Sequence, residues 1–87
     1  MSGLQGRTAI VTGGVTKVGQ GVVAALRDAG ATVVVADIDP DGESLTTGLG
    51  DAIHYSHTDI TDDDAVNRLV SATGAVHGSL GILVDLA

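Results

Sequence analysis

The clearest chemical signal in the sequence is a glycine-rich segment, TGGVTKVG, at residues 12–19. It follows a short β-branched run at residues 7–12 and precedes apolar residues at helical spacing. A glycine turn between a strand and a helix lets backbone N–H groups approach a pyrophosphate, which the positive end of the helix also attracts. This context predicts a phosphate-binding loop; the alternative is an ordinary turn at Gly13 and Gly14.

A carboxylate stands at the end of the next apolar run. Asp37 closes residues 31–37, ATVVVAD. At the end of a second parallel strand a carboxylate can bind both hydroxyls of a ribose, and it repels a 2′-phosphate. The prediction is a site that prefers NAD to NADP. The alternative is a strand-end aspartate that caps the following turn.

Two other clusters imitate metal sites. The acidic run that begins at Asp37 matches the first positions of an EF-hand loop, but Gly48 stands where the bidentate Glu belongs. His54 and His57 lie three apart on a predicted strand, so they would point to opposite faces and could not chelate one ion. No metal site is predicted.

Four apolar runs and three intervening segments must position these residues. The predicted strands are residues 7–12, 31–37, 53–58 and 80–86. The runs are continuously apolar or β-branched, as in strands that are covered on both faces. The right-handed crossover rule arranges this alternation as an α/β fold, a Rossmann-like doubly wound parallel sheet with the first four strands and three crossover helices.

The helix starts are predicted from capping residues. Val18 and the apolar residues after it form one face of a helix that ends at Gly30. Asp39 is the predicted N-cap of a short second helix with Pro40 at its first position. Thr61 is the predicted cap of the third helix, with three carboxylates at residues 62–64 in its first turn.

Composition excludes several classes of function. The 87 residues contain no Cys, so disulfide scaffolds, thiol nucleophiles and Cys-based zinc sites are ruled out. The net charge of −7 disfavours nucleic acid and anionic membranes as partners. No stretch approaches the roughly 18 apolar residues of a membrane span, and no signal peptide begins the chain. The expected location is the cytoplasm.

Separated segments of the chain together resemble the short-chain dehydrogenase/reductase family. They are GxxAIVTGG at residues 6–14, VVVAD at 33–37, DITD at 59–62 and LVxxA at 83–87. The resemblance covers the cofactor-binding half of a typical member. It implies an NAD(P)-dependent oxidoreductase that transfers hydride between the nicotinamide and an alcohol or carbonyl substrate, with NAD as the expected cofactor, and it implies a homo-oligomer.

The resemblance also implies roles for individual residues. Thr12 would brace the turn, and Asp37 would hold the adenosine ribose. Asp59 would accept a hydrogen bond from the adenine amino group, and Ala87 would lie against the ribose. The complete set of implied cofactor-binding residues is Gly13, Thr16, Lys17, Val18, Gly19, Asp37, Ile38, Asp59, Ile60 and Ala87.

The sequence departs from the family pattern at two places. Lys17 stands where the family usually has Gly; its ammonium group would pair with a phosphate oxygen or remain solvated on the helix shoulder. Asp85 and Leu86 replace two asparagines. A carboxylate accepts hydrogen bonds but cannot donate them as an amide does.

The catalytic groups implied by the resemblance are a Tyr, a Lys four residues later and a Ser. Tyr55 is the one Tyr, and its fourth following residue is Asp59, so Tyr55 is interpreted as a core strand residue. Residues 1–87 are therefore expected to be a partial dinucleotide-binding domain, truncated after the fourth strand and inactive alone. The alternatives are a non-catalytic NAD-binding module and an inactive remnant.

Overall fold

A parallel sheet with helices between its strands accounts for the architecture. The computed structural model describes residues 3–13, 16–77 and 80–86. The strands have the spatial order β3-β2-β1-β4 and all pair in parallel. The predicted four-stranded doubly wound sheet is confirmed. The elements are β1 (Thr8–Thr12), α1 (Lys17–Asp28), β2 (Thr32–Asp37), α2 (Gly42–Thr47), β3 (Ile53–His57), α3 (Asp63–His77) and β4 (Leu80–Asp85).

The core lies on both faces of the sheet, which explains why β2 reads as an unbroken apolar run. Successive side chains of a strand point to opposite faces. Val33 and Val35 pack with Val23 of α1 on one face. Val34 and Ala36 pack with Leu69 of α3 on the other. Helices therefore cover both sides of the central strands, as in a doubly wound fold.

The predicted N-cap of α2 is wrong by two residues. Asp41 is the N-cap and the helix begins at Gly42. Asp39 Oδ1 instead accepts a 2.8 Å hydrogen bond from the Asp41 N–H, and the Asp39 carbonyl accepts one of 3.0 Å from the Gly42 N–H. The Asp39 side chain thus closes a turn that contains Pro40, and the helix starts only after this turn.

The predicted cap of α3 is also wrong. Asp62 Oδ1 accepts hydrogen bonds from the N–H groups of Asp64 (3.0 Å) and Ala65 (3.3 Å), so Asp62 caps the first turn. The Thr61 hydroxyl points elsewhere and donates to Asp59 Oδ1 at 2.6 Å. Thr61 stabilises the loop before α3, because a neighbouring carboxylate is a stronger acceptor for its hydroxyl than the helix offers.

Two observations concern the described residues as a whole. None of their helices is both long enough and apolar enough to cross a lipid bilayer. They contain no group of three or more His, Cys, Asp or Glu residues arranged to hold a metal ion. The cytoplasmic location and the homo-oligomer remain predictions.

Candidate functional site

The chain turns at Gly13, directly after β1. Gly13 has φ +71°, a left-handed conformation that a residue with a Cβ adopts only at a cost. Its N–H donates to the Ala36 carbonyl at 3.1 Å, which ties the turn to the end of β2. Its carbonyl accepts a 3.0 Å hydrogen bond from the Thr16 hydroxyl. The glycine therefore fixes a sharp turn at the carboxyl edge of the sheet.

Thr16 connects this turn to the start of α1. It is the N-cap of the helix, and its Oγ1 accepts a 3.0 Å hydrogen bond from the N–H of Gly19, which is buried in the first turn. Lys17 and Val18 complete that turn with exposed side chains. Because the N-terminus of a helix carries partial positive charge, these residues favour an anion at the end of α1.

Asp37 ends β2 beside this turn. Its Oδ1 accepts hydrogen bonds from the N–H groups of Ile38 (2.7 Å) and Asp39 (3.2 Å). The turn-capping alternative thus describes one oxygen of the carboxylate. The other, Oδ2, has no hydrogen bond within the described part of the chain, so Asp37 retains an acceptor for a ligand.

Asp59 follows β3 and is held by Thr61. Its Oδ1 accepts hydrogen bonds from the Thr61 hydroxyl (2.6 Å) and the Thr61 N–H (2.9 Å). These two bonds hold the pKa of the Asp59 carboxyl below its ordinary value, with the hydroxyl making the larger contribution. The Thr58 N–H donates to the Asp37 carbonyl at 2.9 Å and joins this loop to the end of β2. Asp59 is therefore an ionised acceptor beside Asp37.

These loops enclose a cleft of about 290 Å³, which we call the edge cleft. It lies at the carboxyl ends of β1, β2 and β3, where open parallel sheets bind ligands. Its volume is at the lower end of the range for small-molecule sites. It is lined by Gly13, Ala36, Asp37, Ile38, Thr58, Asp59, Ile60 and Thr61.

The edge cleft brings together five of the ten residues expected to bind a cofactor. Four others begin α1 next to Gly13. The tenth, Ala87, lies outside the described residues. The five in the cleft are Gly13, Asp37, Ile38, Asp59 and Ile60; the four at α1 are Thr16, Lys17, Val18 and Gly19.

Thr12 joins β1 to β4. Its hydroxyl donates a 2.7 Å hydrogen bond to Asp85 Oδ1, and the Leu86 N–H donates to the Thr12 carbonyl at 3.1 Å. The hydroxyl was expected to brace the glycine turn, but these contacts are all with β4. The carboxylate at position 85 is therefore an acceptor that ties the two strand ends together.

Sequence reasoning missed the roles of Tyr55 and His57. Tyr55 is half-buried against the core, as predicted, but its hydroxyl also lies 2.9 Å from the Asp37 carbonyl oxygen and 2.6 Å from that of Asp39. His57 Nε2 lies 3.1 Å from the Ile38 carbonyl oxygen. A single Tyr near the end of a strand was a weak signal, because its partners depend on the β2–β3 register.

Comparisons with known proteins give a consistent result. A family model described as enoyl-(acyl carrier protein) reductase matches residues 4–87. The chain is 46% identical over 85 residues to (+)-borneol dehydrogenase 1 of Salvia officinalis, covering 97% of this chain and 33% of that protein.

Solved structures agree with this result. A short-chain type dehydrogenase/reductase from Mycobacterium ulcerans superposes with a TM-score of 0.89 at 40% identity, covering 100% of this chain and 34% of the other. The 3-ketoacyl-(acyl-carrier-protein) reductase from Brucella melitensis, complexed with NADH, gives 0.83 at 31% identity, covering 92% and 34%. The chain thus spans about a third of the length of these proteins.

Proposed function

The chain belongs to the short-chain dehydrogenase/reductase family, and from that premise we propose that it holds NAD in the edge cleft as the cofactor-binding part of an oxidoreductase. The reaction is hydride transfer between the nicotinamide and an alcohol or carbonyl substrate. The observation that carries the proposal is the Asp37 carboxylate, which lines the cleft with Gly13 and keeps Oδ2 as an acceptor.

The residues at the carboxyl edge of the sheet fit a dinucleotide. Gly13 has no Cβ and turns the chain so that a pyrophosphate can approach the backbone. The N-terminus of α1, capped by Thr16 and including Lys17, Val18 and Gly19, favours the pyrophosphate charge. These residues would hold the diphosphate.

Asp37 supports NAD as the preferred cofactor. A carboxylate accepts hydrogen bonds from both hydroxyls of the adenosine ribose, and it repels a 2′-phosphate. Lys17 is exposed at the start of α1, where its charge attracts the pyrophosphate that NAD and NADP share. The discrimination between the two cofactors therefore rests on Asp37.

The rest of the edge cleft would receive the adenine. Ile38 is 61% exposed and offers an apolar surface to the ring. Asp59, held ionised by Thr61, would accept a hydrogen bond from the adenine amino group, beside the Ile60 backbone. We assign Ala87 to the ribose on the resemblance alone.

Residues 1–87 would act as a partial dinucleotide-binding domain. The hydroxyl of Tyr55 is bonded to backbone carbonyls between β2 and α2, which leaves it unsuited to proton transfer with a substrate. We therefore assign no catalytic residue within this range and place the catalytic Ser, Tyr and Lys elsewhere in the protein. The nicotinamide, when bound, supplies the hydride acceptor or donor.

Equilibrium titration of the full chain with NAD and NADP, before and after Asp37→Ala, tests the proposal. We expect NAD to bind more tightly than NADP, and the variant to lose about tenfold in NAD affinity while NADP changes little, since a hydrogen bond to a charged group contributes about 1.5–3 kcal/mol. Asp51→Ala is the matched control, because Asp51 is exposed at the opposite end of β3. Tighter binding of NADP by the unaltered chain would refute the NAD assignment.

A further inference from the structure

Three consecutive backbone carbonyls after β2 are held by two side chains of β3. The Tyr55 hydroxyl lies within hydrogen-bond distance of the Asp37 and Asp39 oxygens, at 2.9 and 2.6 Å. His57 Nε2 lies 3.1 Å from the oxygen of Ile38, between them. Because a carbonyl oxygen only accepts, both side chains act as donors here. We call this arrangement the carbonyl clamp.

The β2–β3 register brings the clamp to this position. Val35 pairs with Tyr55 and Asp37 pairs with His57, so the two β3 side chains lie beside the point where β2 ends. The Tyr55 ring also lies directly against Gly42, where an added Cβ would collide with the ring. The ring is thus fixed between β3 and the start of α2, and its hydroxyl has little freedom to leave the carbonyls.

The same three residues carry the Asp37 carboxylate geometry. Asp37 Oδ1 is fixed by the N–H groups of Ile38 and Asp39, and the clamp fixes the carbonyls of residues 37–39. Every peptide group that orients the carboxylate is therefore held from β3. Burial, followed by the nearby Asp37 and Asp39 charges, raises the pKa of the Tyr55 hydroxyl above its ordinary value, so it keeps its proton and remains a donor at neutral pH.

We propose that Tyr55, assisted by His57, is a positioning residue that holds Asp37 in the orientation that selects a free 2′-hydroxyl on the cofactor. This inference rests on the proposed function of the edge cleft. Tyr55 and His57 do not line that cleft. They act on the cofactor through the backbone of residues 37–39.

The proposal makes a specific statement about cofactor preference. A correctly oriented carboxylate both attracts the ribose hydroxyls of NAD and repels the 2′-phosphate of NADP. If Asp37 loses its fixed orientation, both effects weaken, so the preference falls. A residue that only stabilised the fold would lower the affinity for both cofactors alike.

Tyr55→Phe tests this, because it removes the hydroxyl and keeps the ring against Gly42. Titrating the full chain with NAD and NADP, we expect NAD affinity to fall about fivefold, as the loss of one hydrogen bond allows, while NADP affinity changes less than about twofold. The matched control is Thr46→Val, which removes a buried hydroxyl that donates to the Glu43 carbonyl in α2 and has no contact with the clamp.

A second readout needs no cofactor. Amide hydrogen exchange of Ile38 and Asp39, whose N–H groups bind Asp37, should accelerate in Tyr55→Phe and not in Thr46→Val. His57→Ala, at an exposed position, should shift the preference in the same direction by a smaller factor, and it carries the test if Tyr55→Phe fails to fold.

The outcomes separate the two proposals. If the unaltered chain prefers NAD and Tyr55→Phe keeps that preference, the inference is wrong and the proposed function stands. An equal loss of affinity for both cofactors in Tyr55→Phe would likewise overturn the inference and leave the proposed function standing. If the unaltered chain binds neither cofactor, both proposals fail.

Discussion

The hydroxyl of Thr12 donates a 2.7 Å hydrogen bond to Asp85 Oδ1 and thereby joins the carboxyl ends of β1 and β4. Thr12 is 7% exposed, so the hydroxyl is largely shielded from water. It also accepts a 3.2 Å hydrogen bond from the Leu86 N–H. An acceptor is all that this arrangement requires at position 85, and a carboxylate supplies it where the family usually has asparagine.

Thr12→Val is expected to destabilise the protein. The substitution keeps the shape of the side chain and removes both hydrogen bonds, so the free energy of unfolding should fall by about 1–2 kcal/mol. Thr12→Ser retains the hydroxyl and should lose less. Asp85→Asn retains an acceptor for the hydroxyl and should change the stability by less than about 0.5 kcal/mol. Urea unfolding of the full chain measures all three, and equal losses for Val and Ser would contradict the role of the hydroxyl.

Lys17→Met is expected to weaken NAD and NADP binding by the same factor. Lys17 is exposed at the start of α1, where the pyrophosphate common to both cofactors would lie. One exposed charge pair contributes about 0.2–1 kcal/mol, so the dissociation constants should rise about two- to fivefold at low salt and less at high salt. Arg68→Met removes an exposed charge from α3 as the control. Unchanged affinity would show that Lys17 is simply a solvated side chain.

Gly13→Ala and Gly21→Ala should change stability in opposite directions. Gly13 has φ +71°, and a Cβ in that conformation costs about 1–2 kcal/mol. Gly21 is exposed inside α1, and an added Cβ there has nothing within 4 Å, so alanine should stabilise the helix by about 0.5–1 kcal/mol. Denaturant unfolding without cofactor gives both values. A neutral Gly13→Ala would contradict the requirement for glycine at the turn.

The fold could be predicted because its signals are local. Unbroken apolar runs such as residues 33–36 indicate strands buried on both faces, and the crossover rule then leaves few arrangements. The helix starts were less predictable, because neighbouring acceptors compete for the same N–H groups. Asp41 and Asp62 cap helices for which Asp39 and Thr61 were expected.

The candidate site divides in the same way. Gly13, Asp37 and Asp59 each follow a strand, so a parallel sheet must bring them to one edge, and the structure places them in one cleft. The contacts of Tyr55 with the Asp37 and Asp39 carbonyls could not be predicted. They depend on the β2–β3 register, which the spacing of residues along the chain does not specify.

The hydrogen bonds from Thr61 to Asp59 predict a pH dependence with a definite sign. They lower the pKa of the folded Asp59 carboxyl below its ordinary value, the side-chain bond contributing most. A lowered folded pKa stabilises the protein above the unfolded pKa of Asp59, and this contribution disappears as the pH falls through the folded value. The window therefore lies at acidic pH, and neutral solutions retain the full contribution.

Thr61→Val should raise the pKa of Asp59 towards the ordinary value, because it removes the 2.6 Å bond from the hydroxyl and keeps the one from the N–H. Thr61→Ser retains a hydroxyl and should leave the pKa low. Carboxyl-carbon NMR titration measures Asp59 directly, with exposed Asp51 as an internal reference. Unfolding free energies should show Thr61→Val less stable than the unaltered chain at neutral pH, with the difference vanishing in acid. The same Asp59 midpoint in Val and Ser variants would show that the hydroxyl does not hold the carboxylate.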